Sequence, residues 1–379
     1  MRVPAASGNG GAASSQAVLP RHDLLVTDFF PMTSDGWTLH LRRYRSRTAL
    51  SADRLPVVLC HGLSCNGRFW DLAEKVSLVR YLVRLGYDVW VPTLRGAGLS
   101  TKPALSIIRE ALQFRLPDFS RVVTSASFFR KSRRDWNLED YVHRDIPAII
   151  DTVKRETGRA GVVWIGHSMG GMAMFGYLIK CNRGDVACLV TLGSPMYMPQ
   201  PPSEVYRKAL AHVRLLRIGR ALFNSQFPAG IGVLTGRLPL EYLRGNRDNL
   251  DTDVMRSFYR NVMDDVPAGL LNQLLDFVAT GSLVSSDGSV NYSAELGQVK
   301  VPVLCIAGAA DNMCDSSGIR MSYENVGSTD RTYAEMGLSG GFSADYGHID
   351  LVLGRNASRE VYPLISNWLA QRSVVVTRA

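Results

Sequence analysis

Residues 162–171 constrain the fold more than any other stretch of this chain. They read Val162-Val163-Trp164-Ile165-Gly166-His167-Ser168-Met169-Gly170-Gly171. An apolar, β-branched run ends in Gly-His-Ser-Met-Gly, and helix-compatible residues 172–179 follow at once. That order is strand, tight turn, helix, with a serine at the turn. The turn lifts the side chain clear of the sheet, and the flanking glycines permit it because a Cβ there would clash. It also aims backbone N–H groups and a helix N-terminus at the place where an oxyanion would form.

The pattern around this turn is an alternation. Residues 24–44 read as a hairpin about Thr33-Ser34-Asp35-Gly36. Short apolar strands are expected at 56–60, 87–91, 161–165, 187–192 and 301–307. A helix is expected over 70–85, closing at Gly86. Leu138, Tyr141, Val142, Ile146, Ile149, Ile150 and Val153 recur at three- and four-residue steps, which predicts an amphipathic helix capped by Asn137 and ended by Gly158. A last helix spans 359–371. Apolar strands alternating with helices predict an α/β fold with a mostly parallel, doubly wound sheet covered on both faces. Two stretches break the pattern. Residues 99–136 are basic and irregular, with Arg130-Lys131-Ser132-Arg133-Arg134 near their end. Residues 197–298 open on Pro199-Gln200-Pro201-Pro202 and turn helical. The expected organisation is a disordered tail (1–22), a core (23–196 and 299–379) and a helical cap or lid (197–298) over the sheet's C-terminal edge. Open α/β sheets keep their ligand crevice at that edge.

Composition narrows the classes. The 379 residues carry a net charge of +9 with 20% charged side chains, but the basic residues are scattered among acidic ones. No basic–aromatic platform stands out, so nucleic acid is not expected as a partner. No apolar run is long enough to span a bilayer. Cys60, Cys65, Cys181, Cys188, Cys305 and Cys314 form no CxxC pair and read as buried free thiols in a reducing compartment. The first twenty residues lack the apolar centre of a secretory signal, and a disordered cytosolic tail is the expected reading. They also lack Asp and Glu, as organellar transit peptides do. The expected location is cytoplasmic, with an organelle as the alternative. Residues 207–223 mix arginines with apolar residues; they read as a cap helix packed on the core, with membrane contact left open.

A serine nucleophile needs a base, and the base an orienting carboxylate, in the chain order Ser, Asp or Glu, His. Downstream of Ser168 only His212 and His348 remain. His212 falls inside the expected cap. His348 follows Gly347 in a loop before the last helix and is the expected base. Asp311, after the strand at 301–307, is the expected acid, with Asp315 its rival; Asp345 and Asp350 read as loop and cap residues. The expected oxyanion donors are the N–H groups of Met169 and Leu63. His61 and Gly62 shape the Leu63 loop, and Gly166, His167 and Gly170 support the nucleophile's turn. No metal or cofactor is expected, because His61 has no ligand partner at a sensible spacing. Two matches are decoys. Gly337-Leu338-Ser339-Gly340-Gly341 repeats the Gly-x-Ser-x-Gly pattern with no apolar strand before it. Arg95-Gly96-Ala97-Gly98 resembles a phosphate loop but lacks the Lys-Ser/Thr ending, so it reads as a turn at the sheet edge.

These residues resemble the α/β-hydrolase fold superfamily, in its serine esterase and lipase branch. The resemblance covers about residues 25–372. It rests on His61-Gly62, Arg95-Gly96-Ala97-Gly98-Leu99-Ser100, Gly166-His167-Ser168-Met169-Gly170-Gly171, Gly308-Ala309-Ala310-Asp311 and Gly347-His348. The long cap and residues 139–151 look like acid lipases and like polyester-synthase relatives. Those synthases carry cysteine where this chain has Ser168, and epoxide hydrolases and haloalkane dehalogenases carry aspartate. The resemblance therefore implies a cofactor-free ester hydrolase acting on a hydrophobic or lipid-like acyl group through an acyl-enzyme. An acyltransferase or a thioesterase would use the same triad, and a non-catalytic binding protein would share the fold. With an ordinary imidazole, activity would rise at about pH 6–7.

Overall fold

The computed structural model describes residues 23–51, 53–102, 135–199 and 245–373. Eight strands form one sheet: β1 (Leu24–Phe29), β2 (His40–Ser46), β3 (Val57–Cys60), β4 (Val89–Thr93), β5 (Val162–His167), β6 (Val186–Leu192), β7 (Val303–Gly308) and β8 (Arg331–Met336). Their spatial order is β1-β2-β4-β3-β5-β6-β7-β8. β2 runs antiparallel to both its neighbours, and all other pairs are parallel.

β3, β4, β5 and β7 are fully buried, and the inner side chains alternate between two apolar layers as the two-residue strand period demands. Val58, Cys60, Trp164, Leu189 and Cys305 enter one cluster with residues from α2 (Ile146–Thr157) and α3 (Met169–Lys180). Val57, Leu59, Ile165, Val190 and Ile306 enter the other with α1 (Leu78–Arg84) and α8 (Val361–Ala370). Burying each such aliphatic side chain stabilises the fold by about 1.5–3 kcal/mol before the entropy of ordering it.

Three elements differ from the sequence-based expectation. The helix expected over 70–85 is two 3₁₀ turns (Gly67–Trp70 and Glu74–Val76) followed by the shorter α1. Ser77 explains the late start, since its side chain caps the Arg80 N–H. The helix before β5 begins with Leu138–Asp140 under an Asn137 capping box and passes through a π turn, Tyr141–Asp145, before α2. The edge strand β8 was not expected: Arg331-Thr332-Tyr333-Ala334-Glu335-Met336 is half polar, as an edge position allows.

Described residues of the 197–298 region pack into both layers. Val254, Met255, Phe258 and Tyr259 of α4 (Thr252–Asn261) join the α1/α8 side, and Leu270 and Phe277 of α5 (Ala268–Thr280) join the other. Asp264, between them, accepts hydrogen bonds from Asn66 Nδ2 (2.8 Å), the Gly98 N–H (2.9 Å) and Lys102 Nζ (2.8 Å), so it gathers the loops after β3 and β4. Among the described residues no helix is long and apolar enough to cross a membrane. None of the six cysteines is in a disulfide; five are buried and Cys181 is half-buried.

Candidate active site

The site grows from the pairing of β3 with β5. Cys60 sits opposite Gly166, so the loop after β3 and the turn after β5 leave the sheet side by side. At that turn Ser168 adopts φ 52° and ψ −123°, a left-handed conformation rare for a side chain with a Cβ. Its N–H is held by Leu192 O at 2.8 Å. The glycines are required by close approach. A Cβ on Gly166 would stand 2.4 Å from the Gly171 N, and one on Gly170 would stand 2.5 Å from Cys60 O. Met169 opens α3, so its N–H has no intrahelical acceptor. The loop after β3 runs against Ser168: a Cβ on Gly62 would lie 3.0 Å from Ser168 Cβ. Leu63, the expected second donor, is the next residue.

Asp311 follows β7, and its Oδ2 accepts the His348 Nδ1–H at 2.7 Å; both side chains are buried. Asp311 Oδ1 is fixed by the N–H groups of Met313 (2.9 Å) and Cys314 (2.8 Å). A carboxylate only accepts, so in the neutral ring the proton sits on Nδ1 and the lone pair is left on Nε2. Burial by itself lowers the His348 pKa, but the Asp311 charge and hydrogen bond, with Cys314 beside the ring, hold it well above the ordinary imidazole value. A rise of activity at about pH 6–7 belongs to an unperturbed ring, and with this direction of shift the expected rise moves upward.

The histidine loop is held from three sides. His348 O accepts from His167 Nε2 at 3.0 Å. The Gly347 N–H donates to Asp350 Oδ2 at 2.9 Å, and Asn249 Nδ2 donates to the same oxygen at 2.9 Å. Gly193, at φ 59°, lets the ring in, since a Cβ there would meet His348 Nδ1 at 2.9 Å. His61 and His167 are both neutral, because burial pushes the first down to about 4 and the second well below its ordinary value. His61 donates Nδ1–H to Gly62 O (2.9 Å) and accepts the Leu94 N–H on Nε2 (3.1 Å), which ties down the Leu63 loop and leaves no nitrogen for a metal.

The rivals fall elsewhere. Asp315 caps α6 (Ser316–Asn325) by accepting the Ser317 N–H. Asp345 accepts the Leu338 N–H. Asp350, read from sequence as a loop or cap residue, is a buried carboxylate whose pKa burial raises to about 6. His212, the basic stretch 207–223 and Arg130–Arg134 lie outside the described residues. Ser339 follows β8, a half-polar edge strand rather than an apolar one, and is exposed in a 3₁₀ turn, Leu338–Gly340. Arg95 binds the buried Asp145 through Nε (2.8 Å) and Nη2 (2.6 Å) and Asp35 through Nη1 (3.0 Å), which is a structural task. One neighbour of the site escaped sequence reasoning. The buried Cys314 thiol shares one cluster with the Asp311 carboxylate and the His348 ring, with one donor atom of each within 4.8 Å of the others. Its only sequence signal is its place three residues after Asp311.

Comparison with known proteins agrees with this architecture. A family model described as serine aminopeptidase, S33, matches residues 52–336. Lipase lipl-3 of Caenorhabditis elegans is 28% identical over 153 residues, 39% of this chain and 33% of that protein. The chain thus spans about a third of the first such relative. Triacylglycerol lipase 1 of Arabidopsis thaliana is 25% identical over 359 residues, 89% of this chain and 85% of its own length. An esterase structure from Exiguobacterium antarcticum superposes with a TM-score of 0.55 at 16% identity, covering 90% of this chain and all (100%) of that one, which speaks to the fold. The chain belongs to the serine aminopeptidase, S33, family of α/β-hydrolases.

Proposed function

We propose that this chain is a serine hydrolase that cleaves a carboxylic ester bearing a hydrophobic, lipid-like acyl group. The observation that carries the reading is the convergence, on one sheet edge, of Ser168 in its left-handed turn and the buried His348–Asp311 pair. Ser168 Oγ attacks the ester carbonyl carbon while His348 Nε2 takes its proton. The negative oxygen is met by the N–H groups of Met169 and Leu63, and the Asp311 charge stabilises the imidazolium. The tetrahedral intermediate collapses, His348 protonates the departing alcohol, and an acyl-Ser168 ester remains. Water attacks that ester with His348 again as base, and free acid and serine result.

The apolar surroundings support a lipid-like acyl group. Met169, Met172, Met196 and Met198 belong to the buried apolar layer that carries α3 behind Ser168, and the partly buried Leu63 and Met313 pack against it. Methionine side chains adapt to acyl chains of varied shape. Two lipases named among the relatives agree with this reading. The test is hydrolysis of nitrophenyl esters of graded chain length by wild type and Ser168→Ala. The variant is expected to lose roughly four to six orders of magnitude in kcat, and a fluorophosphonate probe is expected to label the wild type alone. Equal hydrolysis by both proteins would refute the mechanism.

A further inference from the structure

The ester mechanism uses a hydroxyl, an imidazole and a carboxylate, and it assigns nothing to a thiol. Yet the buried Cys314 lies beside the Asp311–His348 pair. One donor atom each from Asp311, Cys314 and His348 lie within 4.8 Å of one another, and all three residues are buried. A tetrahedral zinc ion with bonds of about 2.0–2.3 Å holds its donor atoms roughly 3.3–3.7 Å apart. Small side-chain movements would therefore bring these three onto one ion. The donors also choose the metal. A thiolate with an imidazole and a carboxylate suits Zn²⁺, whereas Mg²⁺ and Ca²⁺ take oxygen ligands. Ser168 Oγ or water would complete the tetrahedron.

We propose that Asp311, Cys314 and His348 form an inhibitory Zn²⁺ site built into the active site. Its inhibitory role rests on the hydrolase reading above; its metal binding does not. On binding, Zn–S, Zn–N and Zn–O bonds form, and the Cys314 thiol gives its proton to solvent. Either ring nitrogen serves to disable the base. Coordination at Nε2 occupies the lone pair that would accept the serine proton. Coordination at Nδ1 moves the ring proton to Nε2, which then points N–H at Ser168. The block is reversible by a chelator, and binding tightens as pH rises because the thiol must ionise.

The test uses the full chain, stripped of metal by a chelator and titrated with Zn²⁺. Binding is read by competition with a chromophoric chelator, and function by ester hydrolysis and by fluorophosphonate labelling of Ser168. One equivalent is expected to bind, lower the rate at least tenfold (about the minimum for a block) and protect Ser168, with full recovery on chelation. Mg²⁺ is expected to do none of this. Co²⁺ in place of Zn²⁺ is expected to give a thiolate-to-metal charge-transfer band in the unmutated protein, which needs no variant to fold. Cys314→Ala and Cys314→Ser, each compared with its own metal-free rate, are expected to weaken Zn²⁺ by more than the roughly 10–100-fold typical of losing an outer-shell partner. No stoichiometric zinc, no sulfur band with Co²⁺, or unchanged zinc sensitivity in both variants would overturn the site. The two readings fail separately. Labelled, active protein indifferent to zinc loses only the zinc site. Cys314-dependent binding to a protein that neither hydrolyses esters nor labels at Ser168 loses only the hydrolase.

Discussion

His348 carries the burden of two opposing fields. Its buried setting disfavours a charged ring, and the Asp311 carboxylate at 2.7 Å favours one; the carboxylate prevails, so the pKa lies well above 6.5. A general base works only when neutral. The acid limb of kcat/KM is therefore expected above pH 6.5, with activity rising as pH passes the raised pKa. Asp311→Asn removes the charge that holds the proton. The limb is expected to move to lower pH, while kcat falls by roughly four orders of magnitude because the amide also unsettles the tautomer. A pH–rate profile of both proteins reads the two effects apart. A limb that stays in place in the variant would assign the shift to some other group.

At the scale of elements, the close seat of α3 on β3 and β5 sets where Ser168 points. Gly170 lies so near Cys60 O that Gly170→Ala must push the start of α3 off the sheet. The expected result is a loss of about 1–3 kcal/mol in stability, as for other overpacked sites, together with a lower kcat, since Met169 and Ser168 move with the helix. Thermal melts and kinetics on the same preparation check both. The elements also show what was readable in advance. β3 through β7 announce themselves as short, continuously apolar runs because they are buried on both faces. β8 did not, because an edge strand keeps polar residues such as Arg331 and Glu335. The placement of Ser168 in a turn after a strand, and of Asp311 against His348, was legible because chain order and strand ends restrict where each can stand. Cys314, Gly193 and Asp350 were not: their places beside His348 or its loop are set by the tertiary fold, and no periodicity records such neighbours.

For the whole molecule, the sheet order carries a consequence in time. β1 and β2 are joined by the ten residues 30–39 and pair locally, while β6 must find β7 across the entire 193–302 stretch. Non-local parallel pairing is slow because loop closure precedes its reward. Ser168, Asp311 and His348 hang from three different parts of that order, so no early fragment owns the site. Refolding from denaturant is expected to restore helical circular dichroism first and reactivity toward a fluorophosphonate last, with a lag between the two signals. Coincident recovery would mean that the sheet closes in one step. A nascent chain of this kind would thus carry its nucleophile long before it could use it, and its chemistry would switch on only with the last strand in place.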